Sequence, residues 1–195
     1  MGRIKSALEI ALERTSEVKS DKSSINQYEA KLRGKKFANE YLEDSEKNIA
    51  DFIKQCPAEQ LDSLKQGLFD ALISQVNLPS TQADQKRIDN AGKGLAAIIN
   101  NNRFNTFFKQ LSQVLSQYLE EIAQYGELMK RQYAPKLRQK EEELSRRMGR
   151  EIRIDPFQDP EFAAFYSQNA NALKANYQGA IDQFRDEARR FFEGS

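Results

Sequence analysis

The chain has 195 residues, 39% of them apolar and 30% charged, with only nine glycines and five prolines, which leaves room for one domain, or two small associated halves, of helix formers rather than turn-rich β structure. Thirty Lys and Arg against 29 Asp and Glu leave a formal net charge of +1, so the molecule as a whole has no strong pull toward nucleic acid or an anionic membrane. With no histidine and a single cysteine, Cys56, the sequence excludes Ser-His-Asp and Cys-His catalysis, His-ligated zinc, carboxylate–His di-iron sites and an intrachain disulfide.

No apolar run approaches the roughly 18 residues of a membrane span; Leu95-Ala96-Ala97-Ile98-Ile99 reaches five. Glu9 and Glu13 interrupt what would be the apolar core of a signal peptide, so a cytoplasmic location is the expectation.

In chain order, the spacing of Ile4, Ala7, Leu8, Ala11 and Leu12 predicts a first helix over residues 3–19, followed by a polar break at 20–24 where Asp21 or Ser24 caps the next element. A second helix is expected from Ile25 to Gln55, weakened at Gly34, where a kink or break can form. Cys56-Pro57 with Glu59 marks a third helix start, carrying Leu61, Leu64, Leu68, Phe69, Leu72, Ile73 and Val76 and stopped by Pro79. Ile88, Ala91, Leu95 and Ile98 keep helical spacing, giving a helix over Gln82–Ile99 and then a turn at Asn100-Asn101-Asn102.

The clearest pattern follows. Phe104, Phe108, Leu111, Leu115, Tyr118, Ile122, Tyr125 and Met129 alternate spacings of four and three, a heptad seam. The register slips at Tyr133 and resumes through Leu137, Leu144 and Met148, with a kink or short break predicted at Pro135. A continuous helix over 103–148 would extend about 70 Å, so part of it should project. Gly149 ends it in the left-handed conformation, and residues 150–159 read as an extended connector. Asp159-Pro160-Glu161 is a helix start, and the last helix presents Phe162, Tyr166, Asn169, Leu173, Tyr177, Ile181, Phe184, Ala188 and Phe191 on its inner face before Gly194 closes it.

The expected architecture is therefore all-α: one helical domain over 1–195, a bundle of about five to six helices, with an N-terminal bundle over about 1–100 and a long, coiled-coil-like helical hairpin over about 103–195.

Candidate sites are few. Residues 130–153 hold nine cations (Lys130, Arg131, Lys136, Arg138, Lys140, Arg146, Arg147, Arg150 and Arg153) against four acids, a local balance of +5. Clustered arginines can track phosphates, with Lys130, Arg131, Arg138, Arg146, Arg147 and Arg150 as the candidate anion binders. The plainer expectation is a solvated helix on which Glu141, Glu142 and Glu143 pair with nearby cations. The heptad seam from Phe104 to Met129 is the candidate surface for a partner or for self-association. The first helix is amphipathic and is expected to pack into the protein's own bundle. Met1-Gly2-Arg3-Ile4-Lys5-Ser6 matches a myristoylation pattern short enough to recur by chance. Cys56 reads as a capping or half-buried structural cysteine, and Gly92-Lys93-Gly94 lacks the upstream glycine, the following Ser/Thr and the preceding strand of a phosphate loop.

Ile4-Lys5-Ser6-Ala7-Leu8-Glu9-Ile10-Ala11-Leu12-Glu13-Arg14-Thr15, the stretch from Gly67 to Gln75 with Leu78-Pro79, and Asp159-Pro160-Glu161-Phe162 resemble a small family of uncharacterised bacterial proteins. The resemblance implies a bacterial cytoplasmic protein and carries over no functional residue. Together these readings lead to a non-enzymatic interaction or scaffold protein without cofactor or metal, self-associating or holding a protein partner through its long helices. A nucleic-acid or anionic-surface binder acting through 130–153 is the alternative, and an enzyme built on Arg, Tyr and carboxylates ranks third.

Overall fold

The computed structural model describes residues 7–44 and 47–194, with side chains from residue 23 onward. Among these residues there are six α-helices and no strand, as the composition requires. The chain divides into two compact units, one of the chain up to Val76 together with Asn90–Asn101, the other of Asn77–Asp89 together with Asn102–Gly194.

In the first unit, α1 (Ala7–Glu43) is one helix of 37 residues. The break predicted at 20–24 is absent, so no helix start falls there for Asp21 or Ser24: Ser, Asp and Lys each cost a helix only a few tenths of a kcal/mol, and the run holds neither glycine nor proline. Where the sequence suggested continuation to Gln55, the helix stops at Glu43. Asn48 then opens α2 (Ile49–Lys54), its side chain accepting hydrogen bonds from the Ala50 and Asp51 amides at 2.9 and 3.3 Å. Phe37 of α1 and Phe52 of α2 stack with centroids 3.7 Å apart.

Past Pro57 and one 3-10 turn (Ala58–Gln60), α3 (Leu61–Ile73) buries Leu64, Leu68, Phe69, Leu72 and Ile73. It ends six residues before Pro79, so that proline is not its stop; the Ser74 hydroxyl donates to the Ala71 carbonyl at 2.7 Å in the turn that ends it. Gly34 makes no break in α1. It is where α1 crosses α3: a Cβ there would lie 2.3 Å from the Leu64 carbonyl oxygen, and one at Gly67 would lie 2.0 Å from the Lys31 carbonyl oxygen. The two helices meet backbone to backbone, an approach open only to glycine. Lys31 and Asp70 pair across the same crossing at 2.9 Å.

The helix expected over 82–99 is α4 (Gln82–Ile99). Its start is a reciprocal cap: the Asp84 amide donates to Thr81 Oγ1, while the Asp84 carboxylate accepts from the Ser80 and Thr81 amides at 2.9 Å each. Gly92-Lys93-Gly94 sits inside this helix and not in a phosphate loop, and a Cβ at Gly94 would lie 2.8 Å from both Ile49 Cδ1 and Leu72 Cδ1, so Gly94 serves packing. Asn100, at φ 49°, takes the left-handed turn that asparagine tolerates.

The second unit is dominated by α5 (Asn102–Met148) and α6 (Pro160–Glu193), an antiparallel hairpin. Phe104 meets Phe191, Tyr118 meets Tyr177 and Tyr133 meets Phe162 at centroid distances of 6.0, 5.1 and 5.3 Å, equal steps along α5 and back along α6. Phe104 and Phe184 are fully buried, each stabilising the hairpin by roughly 1.5–3 kcal/mol relative to exposure. α5 runs through Pro135 without the predicted break; Tyr133 and Leu137, buried on either side of it, fasten both adjoining turns to the hairpin core. Beyond Leu137 the seam does not resume, since Leu144 and Met148 are 38% and 58% exposed. That end of α5 is covered by the connector instead: the Ile152 amide donates to Ser145 Oγ and the Ile154 amide to Glu141 Oε1. Gly149, at φ +65°, makes the reversal as expected. On α6, Asn169 is exposed and Ala170 takes the buried place.

Candidate functional site

The structure places the heptad seam against α6 of the same hairpin. Phe104, Leu111, Leu115, Tyr118 and Met129 are buried, with Phe108, Ile122 and Tyr125 half-buried. Phe107 and Leu119, which fall outside the seam, are also engaged: Phe107 stacks on Phe184 at 5.2 Å and Leu119 is buried. The apolar side of α5 is therefore wider than a two-stranded seam.

Of the nine cations in 130–153, six pair with acids of their own unit: Lys130 with Glu127 at 2.8 Å, Lys136 with Glu161 at 2.6 Å, Lys140 with Asp159 at 2.6 Å, Arg146 with Glu142 at 3.7 Å, Arg147 with Glu143 at 3.6 Å and Arg153 with Glu151 at 3.1 Å. Arg131, Arg138 and Arg150 have no ion pair among the described residues. A cavity of about 560 Å³ on this segment is lined by Arg138 and Arg153 but also by Glu141, Glu142 and Glu151, so carboxylates outnumber guanidinium groups there.

The most buried ion pair among the described residues, Lys140 with Asp159, is structural. Asp159, 5% exposed, caps α6 by accepting from the Glu161 and Phe162 amides at 2.9 and 3.0 Å, and its other oxygen accepts from Lys140. The Tyr133 hydroxyl donates toward Asp159 and Glu161 at 3.3 and 3.2 Å. The Lys140 ammonium, then the backbone amides, hold the Asp159 carboxyl at about 2, and the same pairing raises Lys140. This latch joins the last quarter of α5 to the start of α6. No group of three or more His, Cys, Asp or Glu side chains is placed to hold a metal ion among the described residues.

A second groove, of about 440 Å³, lies beside the latch. From α5 come Tyr118, Leu119, Ile122, Ala123 and Gly126; Tyr166 comes from α6 and Phe157 from the turn before it. Lys130 and Glu127 of α5, Lys174 of α6, and Pro79 and Ser80 of the loop before α4 complete it. Phe157 is 48% exposed, set edge-on to Tyr166 at 5.3 Å, with the Lys130 ammonium 5.3 Å from its ring. Burial raises the Tyr118 and Tyr166 phenols above their ordinary range, so both stay protonated at neutral pH and able to donate. Lys174 has no ion pair among the described residues. The size suits a ligand or a few anchoring side chains, and the lining suits an apolar group carrying negative charge.

Sequence reasoning singled out Tyr118, Ile122 and Lys130 but missed Gly126, Phe157 and Lys174 as neighbours of these. Phe157 follows Pro156 in what read as plain connector, and no spacing rule relates it to α5. Cys56 is half-buried and uncapped by any role at a helix start, though Arg33 donates toward its sulfur at 3.4 Å. The Met1–Ser6 pattern and the apolar face of the first helix lie outside the described residues and side chains.

Neither a curated protein nor a solved structure matches the chain. Of the stretches behind the resemblance, Gly67–Pro79 and Asp159–Phe162 fall inside the region that matches a family model and Ile4–Thr15 falls outside it. The crossing glycine Gly67, the latch and the whole groove lie within that matched region, residues 50–190, and on this match the chain belongs to the family of unknown function DUF6657.

Proposed function

We propose that this protein is a non-enzymatic helical adaptor that holds a protein partner in the groove of its α5–α6 hairpin. The observation that carries the reading is an open groove lined by Phe157, Tyr166 and Ile122, set beside a seam already used within the chain. Aromatic anchoring surfaces of this kind dominate protein recognition. Because the seam packs on α6, a partner is favoured over self-association through those residues. Placement in a bacterial cytoplasm follows the family resemblance, and no helix among the described residues is long and apolar enough to cross a membrane.

Recovery of the tagged full chain from its host at low salt, with and without nuclease, tests this. A stoichiometric protein that survives nuclease and is lost from a Phe157→Glu variant supports the adaptor. The second reading, an anionic-surface or nucleic-acid binder, rests on Arg131, Arg138 and Arg150, together with Arg146 and Arg147, whose exposed pairs at 3.7 and 3.6 Å are weak enough to exchange. Recovery of nucleic acid alone, lost at high salt and on changing Arg131, Arg138 and Arg150 to Gln, would replace the first reading with the second.

A further inference from the structure

We infer that the occupant of the groove is an acidic amphipathic helix, with one apolar side chain seated over Gly126 and a carboxylate meeting Lys174; this rests on the groove being the partner site. Glycine inside a helix costs about 1 kcal/mol relative to alanine. At Gly34, Gly67 and Gly94 a close crossing explains it, since an added Cβ would fall within 2.8 Å of a neighbour. Gly126 is buried in the middle of α5, yet a Cβ there would meet only Tyr166 Cε2 at 3.8 Å, an ordinary contact. Alanine would fit the hairpin and strengthen α5, so the bare backbone serves the groove's depth and not the fold. Gly179, also without a close neighbour, is exposed on α6.

The length and charge of the groove define the occupant. Its α5 side runs from Tyr118 to Lys130, about 18 Å at 1.5 Å per residue, the span of three helical turns and of anchors at i, i+3 or i+4, and i+7. Its polar atoms are mainly donors: two ammonium groups and two protonated phenols. Lys130 and the one acid, Glu127, pair with each other at 2.8 Å, which leaves Lys174 as the lining cation without an ion pair among the described residues. A basic or neutral helix would leave the Lys174 ammonium without a partner on burial, which is unfavourable.

The test measures fluorescence anisotropy of three labelled synthetic helices against the full chain. One has Leu at the anchor positions flanked by Glu, one has Leu flanked by Lys, and one has Ser in place of Leu with Glu flanks. The Leu/Glu peptide is expected to bind at least about tenfold more tightly than either other peptide. Gly126→Leu, which fills the groove, should weaken that binding at least about tenfold, Gly126→Ala should leave Tm unlowered, and Lys174→Glu, on an exposed position, should shift preference toward the Lys-flanked peptide. Equal affinity for Glu- and Lys-flanked peptides, or unchanged binding by Gly126→Leu, overturns the inference. So does binding of dodecanoate with none of the peptides, which would make the groove a small-amphiphile site. A host protein captured through Phe157 while no acidic peptide binds overturns the acidic helix but leaves the adaptor reading standing.

Discussion

Gly34 and Gly67 hold α1 and α3 at backbone contact, and each replacement should register as strain. Gly34→Ala or Gly67→Ala is expected to destabilise by about 1–3 kcal/mol or more, since the atoms a Cβ would strike are backbone and cannot rotate away. At about 2–4 °C per kcal/mol for a chain of this size, thermal melts followed by circular dichroism should show the loss. Gly126→Ala has the opposite sign, a gain of about 0.4–1 kcal/mol, and a lower Tm in that variant would contradict the open space around it. Asp159 makes a pH-dependent contribution. Its carboxyl titrates at about 2 in the fold against an ordinary 3.8, so it favours the folded state above about pH 4 and ceases to do so as the pH falls toward 2. The urea midpoint should therefore fall less between pH 5 and 2.5 in Asp159→Asn than in the unaltered chain.

At the scale of elements, α5 carries the plainest anomaly, a proline at position 135 inside an unbroken helix of 47 residues. Proline removes one backbone hydrogen bond and crowds the preceding turn, so Pro135→Ala should raise the urea midpoint, by up to about 3 kcal/mol in stability, with helical content little changed. The sequence-based expectation of a break there followed the local rule; burial of Tyr133 and Leu137 on both sides overrides it. Local rules succeeded where several agreed. The bounds of α4 were legible from the Ile88–Ile98 spacing, and Asp159-Pro160-Glu161 begins α6 as read. They failed at residues 20–24, where polarity was mistaken for a stop that no glycine or proline supplies. The groove was illegible for a different reason: Gly126, Phe157 and Lys174 come together only through the pairing of α5 with α6.

At the scale of the whole molecule, α1 lies outside the family match at 50–190, yet the face of Gly67 inside that match is shaped to receive it. Removal of residues 1–43 is therefore expected to expose the side of α3 around Leu64 and Leu68. The shortened chain should bind a dye such as ANS and lose a sharp thermal transition, whereas cooperative melting with no dye binding would show that α1 is dispensable to its unit. The α1–α3 crossing also has a genetic consequence. Every amino acid reachable from a glycine codon by one base change is larger than glycine, so at positions 34 and 67 no missense change is sterically silent. The mildest of them, to alanine or serine, weaken the fold without abolishing it. Heat-sensitive alleles of this gene should accumulate at these two codons, neither of which lines the groove.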